Sequence, residues 1–350
     1  MTTRMTRTMV GCAFAVLVAA PLRGQEVEQV AGRSVAIFNL AGHVEIVPGS
    51  GSDVVVRIAR GGADAASLQI ETGTVRGVST LRIVYPHDQI VYPEMIRGSS
   101  TSVTVREDGT FSRGSEGRGD RVHIRERGDG LEAWADLVIE VPAGRELSVY
   151  QAVGEVAAEG VEGEVAIDTG SGAVRAVDTS GPLSIDTGSG TVEVRGVAGD
   201  LLVETGSGRV DVADVRGGEI AIDTGSGRVT GAGLSAESVT VETGSGAIEL
   251  QAVAAPAISL DTGSGSIDVE LLEDVDRLHA DTGSGSVTVR APDRLGAVVE
   301  IETGSGGIDL DFPADLRSTR RNRVEGTIGD GRGEIRIDTG SGGVRLTRGR

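Results

Sequence analysis

The sequence predicts an all-β protein: a right-handed parallel β-helix, or β-solenoid, of 18–21-residue coils preceded by an irregular β-rich segment. Three observations predict it. An acidic residue followed by Thr-Gly-Ser-Gly recurs nine times along the chain, at successive spacings of 18, 18, 19, 19, 19, 20, 21 and 36 residues. Self-similarity at a short period is the mark of a solenoid. Apolar residues flank each block with period two, as in a strand with one buried face. Glycines punctuate the chain wherever those flanks end.

The chain opens with Arg4 and Arg7, an apolar run from Met9 to Leu22, and then Pro21-Leu22-Arg23-Gly24-Gln25. This is the pattern of a secretory signal peptide over residues 1–25. Cys12, the single cysteine, lies at the start of the apolar run rather than at a cleavage site, so lipidation is not expected. The mature chain then has neither disulfides nor thiolate metal sites. No later run reaches the roughly 18 apolar residues of a membrane span. The expectation is an exported protein that does not span the membrane and is periplasmic, on the cell surface or secreted.

Residues 26–145 read as β-rich without a regular repeat. The stretch "VAIFNLAGHVEIVPGSGSDVVVRI" alternates strands and turns, "LQIETG" around Glu71 echoes the repeat, and "LRIVYP" and "ADLVIEVP" are further strands. Residues 94–130 form a Gly- and Arg-rich loop or long hairpin. It holds two Arg-Gly-Asp triplets, Arg118-Gly119-Asp120 and Arg127-Gly128-Asp129, which chance explains in so Arg- and Gly-rich a chain. A soft boundary falls near Pro142 to Glu146.

Residues 146–350 carry the coils. "VYQAVGEV" is a degenerate first one, placing Gly154 eighteen residues before Gly172. Counted from the acidic residue, positions minus three and minus one are apolar, as in Val165 and Ile167 or Val239 and Val241. Plus six and plus eight repeat the pattern, as in Val192 and Val194 or Ile267 and Val269. Plus eleven is apolar in Val197, Val215, Leu234, Val253 and Leu272, which suggests a third inward face. One coil cannot bury its apolar face alone, but stacked coils make the columns continuous. The glycines at plus two and plus four are expected to supply positive φ at a tight corner, with the Asp and Ser side chains bonding nearby backbone.

The block resembles the surroundings of an aspartic-protease carboxylate, yet that chemistry needs one pair sharing a proton. Nine copies that interchange Asp and Glu do not supply it. Stacking instead places Asp168, Asp186, Glu204, Asp223, Glu242, Asp261, Asp281, Glu302 and Asp338 in one column, which must be exposed or neutralised by cations. Calcium suits carboxylates, although the Gly-Gly-x-Gly-x-Asp pattern of calcium-binding rolls is absent. In the 36-residue gap, Arg317, Arg320, Arg321 and Arg323 form a candidate contact for a phosphate-bearing envelope polymer. His43, His87, His123 and His279 lack ligand spacing. A formal charge of −19 argues against nucleic acid, and 2% aromatic residues argue against a glycan cleft built on stacked rings. The threonine column beside the acids is too narrow for an ice-binding face.

"NLAGHVEIVPGSG", the repeated "IDTGSG" and the closing "GTIGDGRGEIRIDTGSGGVRL" resemble the bacterial β-strand-repeat family of putative adhesins, a domain of unknown function, over most of residues 34 to 347. The resemblance implies a β-solenoid of the bacterial envelope or exterior without established catalytic residues. The expected protein is therefore a non-enzymatic scaffold or adhesin-like binding surface, with envelope polysaccharide or another envelope protein as partner. A calcium-dependent or glycan-active β-helix is the alternative. No cap is visible after Leu346, so the final coil is expected to expose strand edges that invite self-association, unless Arg348 and Arg350 block them.

Overall fold

The computed structural model describes residues 25–111 and 119–349. Nearly all of the expected signal peptide, Arg118 of the first Arg-Gly-Asp triplet, and Arg350 lie outside them. Apart from one 3-10 turn at Ala65–Ser67, the regular structure of the described residues is strand, gathered into sheets of 15, 14 and 4 strands.

Each coil gives one strand to each of the two large sheets. The strand leading into the acidic block joins the first, as in Gly163–Ser171 and Leu183–Ser189, and the strand leaving it joins the second, as in Val174–Val177 and Val192–Arg195. All of these pair in parallel with like positions opposed, so that Ile167 faces Ile185 and Val174 faces Val192. The inward positions form unbroken buried columns; Val165, Leu183, Leu201, Ile220, Val239, Ile258 and Leu278 are each at most 3% exposed. A slip of one residue would turn every column outward, and this is what fixes the register.

The third inward face is not a sheet. Only isolated bridges, Glu162 to Ser180, Ser180 to Ala198 and Ala198 to Arg216, follow the second strand in the early coils. Val197, Val215, Leu234 and Val253 are buried as expected, but Leu272 is 54% exposed. The register shifts after Leu250, so that Leu271 pairs with Val253 and takes the buried place.

The corner differs from its expected chemistry. No glycine of the block from Gly190 to Gly342 has positive φ; the left-handed residues sit at plus ten, as Asp178, Gly196, Asp214, Gly233 and Ala252. Glycine at plus four is demanded by proximity instead. A Cβ on Gly246 would lie 1.7 Å from the carbonyl oxygen of Gly227 in the preceding coil, and one on Gly265 would lie 1.8 Å from that of Gly246. The side chain that ties the corner most often is threonine, joined at one corner by Ser305, whose Oγ donates to the Ser341 carbonyl at 3.3 Å. Thr243 Oγ1 accepts from Gly246 N–H (3.0 Å) and donates to the Gly227 carbonyl (3.2 Å), and Thr262, Thr282, Thr303 and Thr339 repeat both bonds. The threonine column is thus buried. In the first two coils the strand runs on through the block, and the buried Oγ1 atoms of Thr169 and Thr187 find no partner.

The C-terminal end is threaded. Strand Gly333–Thr339 pairs on one side with Arg277–Thr282 and on the other with Ala297–Thr303. Its companion Val344–Arg348 lies likewise between Val287–Ala291 and Ile308–Leu310. The last coil in sequence is therefore the penultimate coil in space, and the expected free edge after Leu346 is absent because both of its sides are paired. The antiparallel hairpin of Ala314–Arg320 and Arg323–Ile328 closes the first sheet beyond it.

At the other end, Ser34–Ala41 and Val44–Gly49 stack on Arg145–Val153 and Val156–Glu159 as a further coil. The echo at Glu71 is not a coil; it lies in a hairpin, opposite Arg82. Within residues 94–130, Ser100–Val105 and Asp120–Arg125 pair antiparallel in the small sheet, which continues on the Asp120–Arg125 side through Gln89–Val91 to Leu131–Glu132.

Two predictions follow from the corner. Gly246→Ala should destabilise by well over the roughly 1 kcal/mol typical of point substitutions, measured by urea unfolding. Thr243→Val, which strips a buried corner of two bonds, should cost about 1–3 kcal/mol, whereas Thr169→Val should be neutral or stabilising; equal costs at the two positions would contradict the two-corner description.

Candidate functional site: the carboxylate ladder

Strand alternation decides what each coil shows to solvent. Ile185 and Thr187 point inward, so Asp186 between them points outward, and every coil repeats the choice. In-register pairing then aligns the carboxylates in the spatial order Asp168, Asp186, Glu204, Asp223, Glu242, Asp261, Asp281, Asp338, Glu302. The structure brings all nine predicted residues together, with the last two exchanged by the threading. Neighbours are one strand apart, about 4.8 Å. The central four, Glu204, Asp223, Glu242 and Asp261, are exposed, and the others are half-buried.

Like charges at this spacing repel by about 1 kcal/mol per neighbour in water, and at Asp281 this adds to burial. Burial, followed by the charges of Asp261 and Asp338, raises the Asp281 carboxyl above its ordinary range, against the pull of His279 and Arg336. Both ends of the ladder are closed. Tyr150 pairs with Asp168 in register, and its ring stacks on Phe38 with centroids 4.5 Å apart and planes at 3°. At the far end Arg323 faces Glu302 and binds it together with Glu300 (2.9 Å) and Glu325 (2.5 Å).

The ladder is one carboxylate wide, flanked along each strand by inward apolar and threonine side chains. Among the described residues no group of three or more His, Cys, Asp or Glu side chains is placed to hold a metal ion. Calcium takes six to eight oxygens, more than a single file presents at any one step.

The predicted arginine cluster divides. Arg323 is the clamp just described, with three carboxylates of its own. Arg317 and Arg320 lie on the outer strand of the closing hairpin and Arg321 in its turn, all exposed. No ion pair joins these three to another described residue.

Sequence reasoning missed a cleft of about 550 Å³ where the small sheet leans over the first corners. Its polar centre is Glu94, whose carboxylate meets His43 Nε2 at 2.5 Å and the Tyr92 hydroxyl at 3.2 Å. Burial, then the Glu94 charge, pushes the Tyr92 hydroxyl above its usual range. His43 and Glu94 stand 51 residues apart, and no spacing pattern announces such a pair.

The family model described as Toastrack DUF4097 matches residues 136–347. No curated protein matches the chain. Among solved structures, that of a putative cell adhesion protein from Clostridium sporogenes is 10% identical, covering 93% of this chain and 99% of that one with a TM-score of 0.24. That score is too low to carry an argument about fold or role.

The raised Asp281 carboxyl gives a pH prediction. The folded state holds this proton more tightly than the unfolded chain does, so the group favours folding in acid and loses that contribution as pH rises through its raised value. At neutral pH its charge is therefore a cost. Asp281→Asn should raise unfolding stability at neutral pH by about 0.2–1 kcal/mol, the range of cross-strand pair energies. The gain should fade below the ordinary carboxylate range. A gain independent of pH would show that charge is not its source.

Proposed function

The chain belongs to the Toastrack DUF4097 family, and on that premise we propose that it is a non-enzymatic exported β-solenoid acting as a cell-envelope scaffold or adhesin-like binding surface. The observation that carries this reading is the ladder: nine outward carboxylates in direct register over a continuously packed core. Packing that continuous makes the coil stack a stiff ruler, roughly 40 Å long at about 4.8 Å per strand. We take the coils to be right-handed, the usual sense of parallel crossovers. Export is inferred from the basic and apolar opening run. No helix of the described residues is long and apolar enough to cross a membrane.

A ruler of evenly spaced charges suits a partner that repeats. Each exposed carboxylate contributes little, but contacts made by one polymer chain add through effective concentration. The partner chemistry is an envelope polysaccharide, or an envelope protein, that presents cationic or hydroxyl groups at a regular interval. The arginines Arg317, Arg320 and Arg321 would meet anionic groups of the same partner at the closed end of the stack.

The test is binding of purified envelope polysaccharide fractions to the immobilised mature protein. Replacing Glu204, Asp223, Glu242 and Asp261 together by their amides should weaken binding at low salt by at least about tenfold, the scale of lost multivalency. Unchanged binding would remove the ladder from the function. Thermal unfolding with millimolar calcium or with chelator should give the same midpoint; a calcium-dependent rise with stoichiometric bound metal would favour a calcium-dependent role.

A further inference from the structure

Most sheet edges in this protein are protected in ways that discourage further pairing. Glu26–Val30 carries Glu26 and Glu28, Gln69–Val75 carries Glu71, and Ala314–Arg320 carries Asp315, Arg317 and Arg320. Ile308–Leu310 and Leu131–Glu132 are only three and two residues long. Ser100–Val105 differs: six residues, Ser-Thr-Ser-Val-Thr-Val, with no charge and no proline. It is paired only to Asp120–Arg125, at the edge of the four-stranded sheet.

Its free side can be read from the ladder. Glu126 N–H donates to the Ser99 carbonyl, so the odd positions 101, 103 and 105 turn their main-chain groups toward Asp120–Arg125. Antiparallel geometry then aims the N–H and C=O of Ser100, Ser102 and Thr104 away from the sheet. Just beyond the strand Arg106, of the same parity, sends its N–H to the Thr110 carbonyl rather than to the sheet.

Beside this edge runs a row of cations. Arg121, His123 and Arg125 share the outward face of their strand, opposite the buried Val122 and Ile124. Arg121 donates from Nε and Nη2 to Ser102 Oγ at 3.1 and 2.9 Å, which carries its guanidinium across to the edge strand. Arg125 donates to Gln89 Oε1. Both charges thus rest on neutral partners, and no ion pair joins either to a described carboxylate, in a protein whose formal charge is −19.

We propose that Ser100–Val105 is a docking edge for an extended polypeptide segment with acidic residues at alternate positions, added to the small sheet as a fifth strand. Main-chain bonds to Ser100, Ser102 and Thr104 supply affinity, as in other strand additions. Alternation supplies selectivity: the partner's acidic side chains fall on the face of Arg121 and Arg125, and its intervening residues fall on the face of Val103 and Val105, which pack against the core. This proposal is independent of the carboxylate ladder and stands or falls without it.

The experiment is fluorescence anisotropy with a labelled synthetic peptide that alternates glutamate with valine and threonine, titrated with the full mature chain. Ser102→Pro and Thr104→Pro each remove one outward N–H without touching the internal ladder, and circular dichroism confirms that each still folds. The expected result is saturable binding, weakened at least about tenfold by either proline and several-fold by Arg121→Gln with Arg125→Gln. Added salt should weaken it, and a peptide with lysine in place of glutamate should not bind. Binding that survives both prolines, or equal binding of the lysine peptide, overturns the proposal. So does the absence of peptide binding, including the case where sedimentation shows self-association that Ser102→Pro abolishes, since the occupant is then a second copy of the chain.

Discussion

Everything in this molecule depends on how closely successive coils can approach at one corner. Parallel strands must sit about 4.8 Å apart to hydrogen-bond, and the backbone turning between the two sheets has to keep that spacing while changing direction. At Gly246 and its equivalents the carbonyl of the preceding coil occupies the space a side chain would need. The threonine beside it closes the corner from inside, satisfying a donor of its own coil and an acceptor of the one before. These contacts let the corner keep that pitch. The inward apolar columns fix the register, and the register aligns the carboxylates on the outer face.

The ladder of like charges is then a by-product of accurate stacking that the fold has to accommodate. It does so by leaving the central members in water and closing the ends with groups that repel nothing: an aromatic stack at Phe38 and Tyr150, and a guanidinium at Arg323. At Asp281 burial, and then the charges of Asp261 and Asp338, hold the carboxyl above its ordinary range.

Much of this was legible in the sequence, for a physical reason. Inward columns require apolar residues at period two, and coils of nearly equal length require equal spacing, so Val165 to Ile258 and the acids between them are placed by the sequence alone. What escaped depended on contacts between coils. The block glycines resemble turn glycines, but their need for a missing Cβ comes from a neighbouring coil; the left-handed conformation sits at plus ten, where Asp178, Gly196, Asp214 and Gly233 are types that favour it and Ala252 is not. Leu272 fits the apolar pattern and is exposed because one residue of register is lost nearby. The groove around His43 and Glu94 joins segments with no shared pattern. The exchange of the last two coils leaves no trace in residue type, since Asp338 and Glu302 each carry a complete block.

That exchange orders events in time as well as space. A chain made from the N-terminal end presents Ala297–Thr303 before Gly333–Thr339, yet the earlier strand rests on the later one. Coil-by-coil zippering can therefore proceed only as far as Arg277–Thr282. Beyond that point the outer coil and its hairpin must wait, or settle provisionally on the wrong neighbour and be displaced. A chain cut short before residue 333 would leave Ala297–Thr303 and Ile308–Leu310 without the strands they rest on.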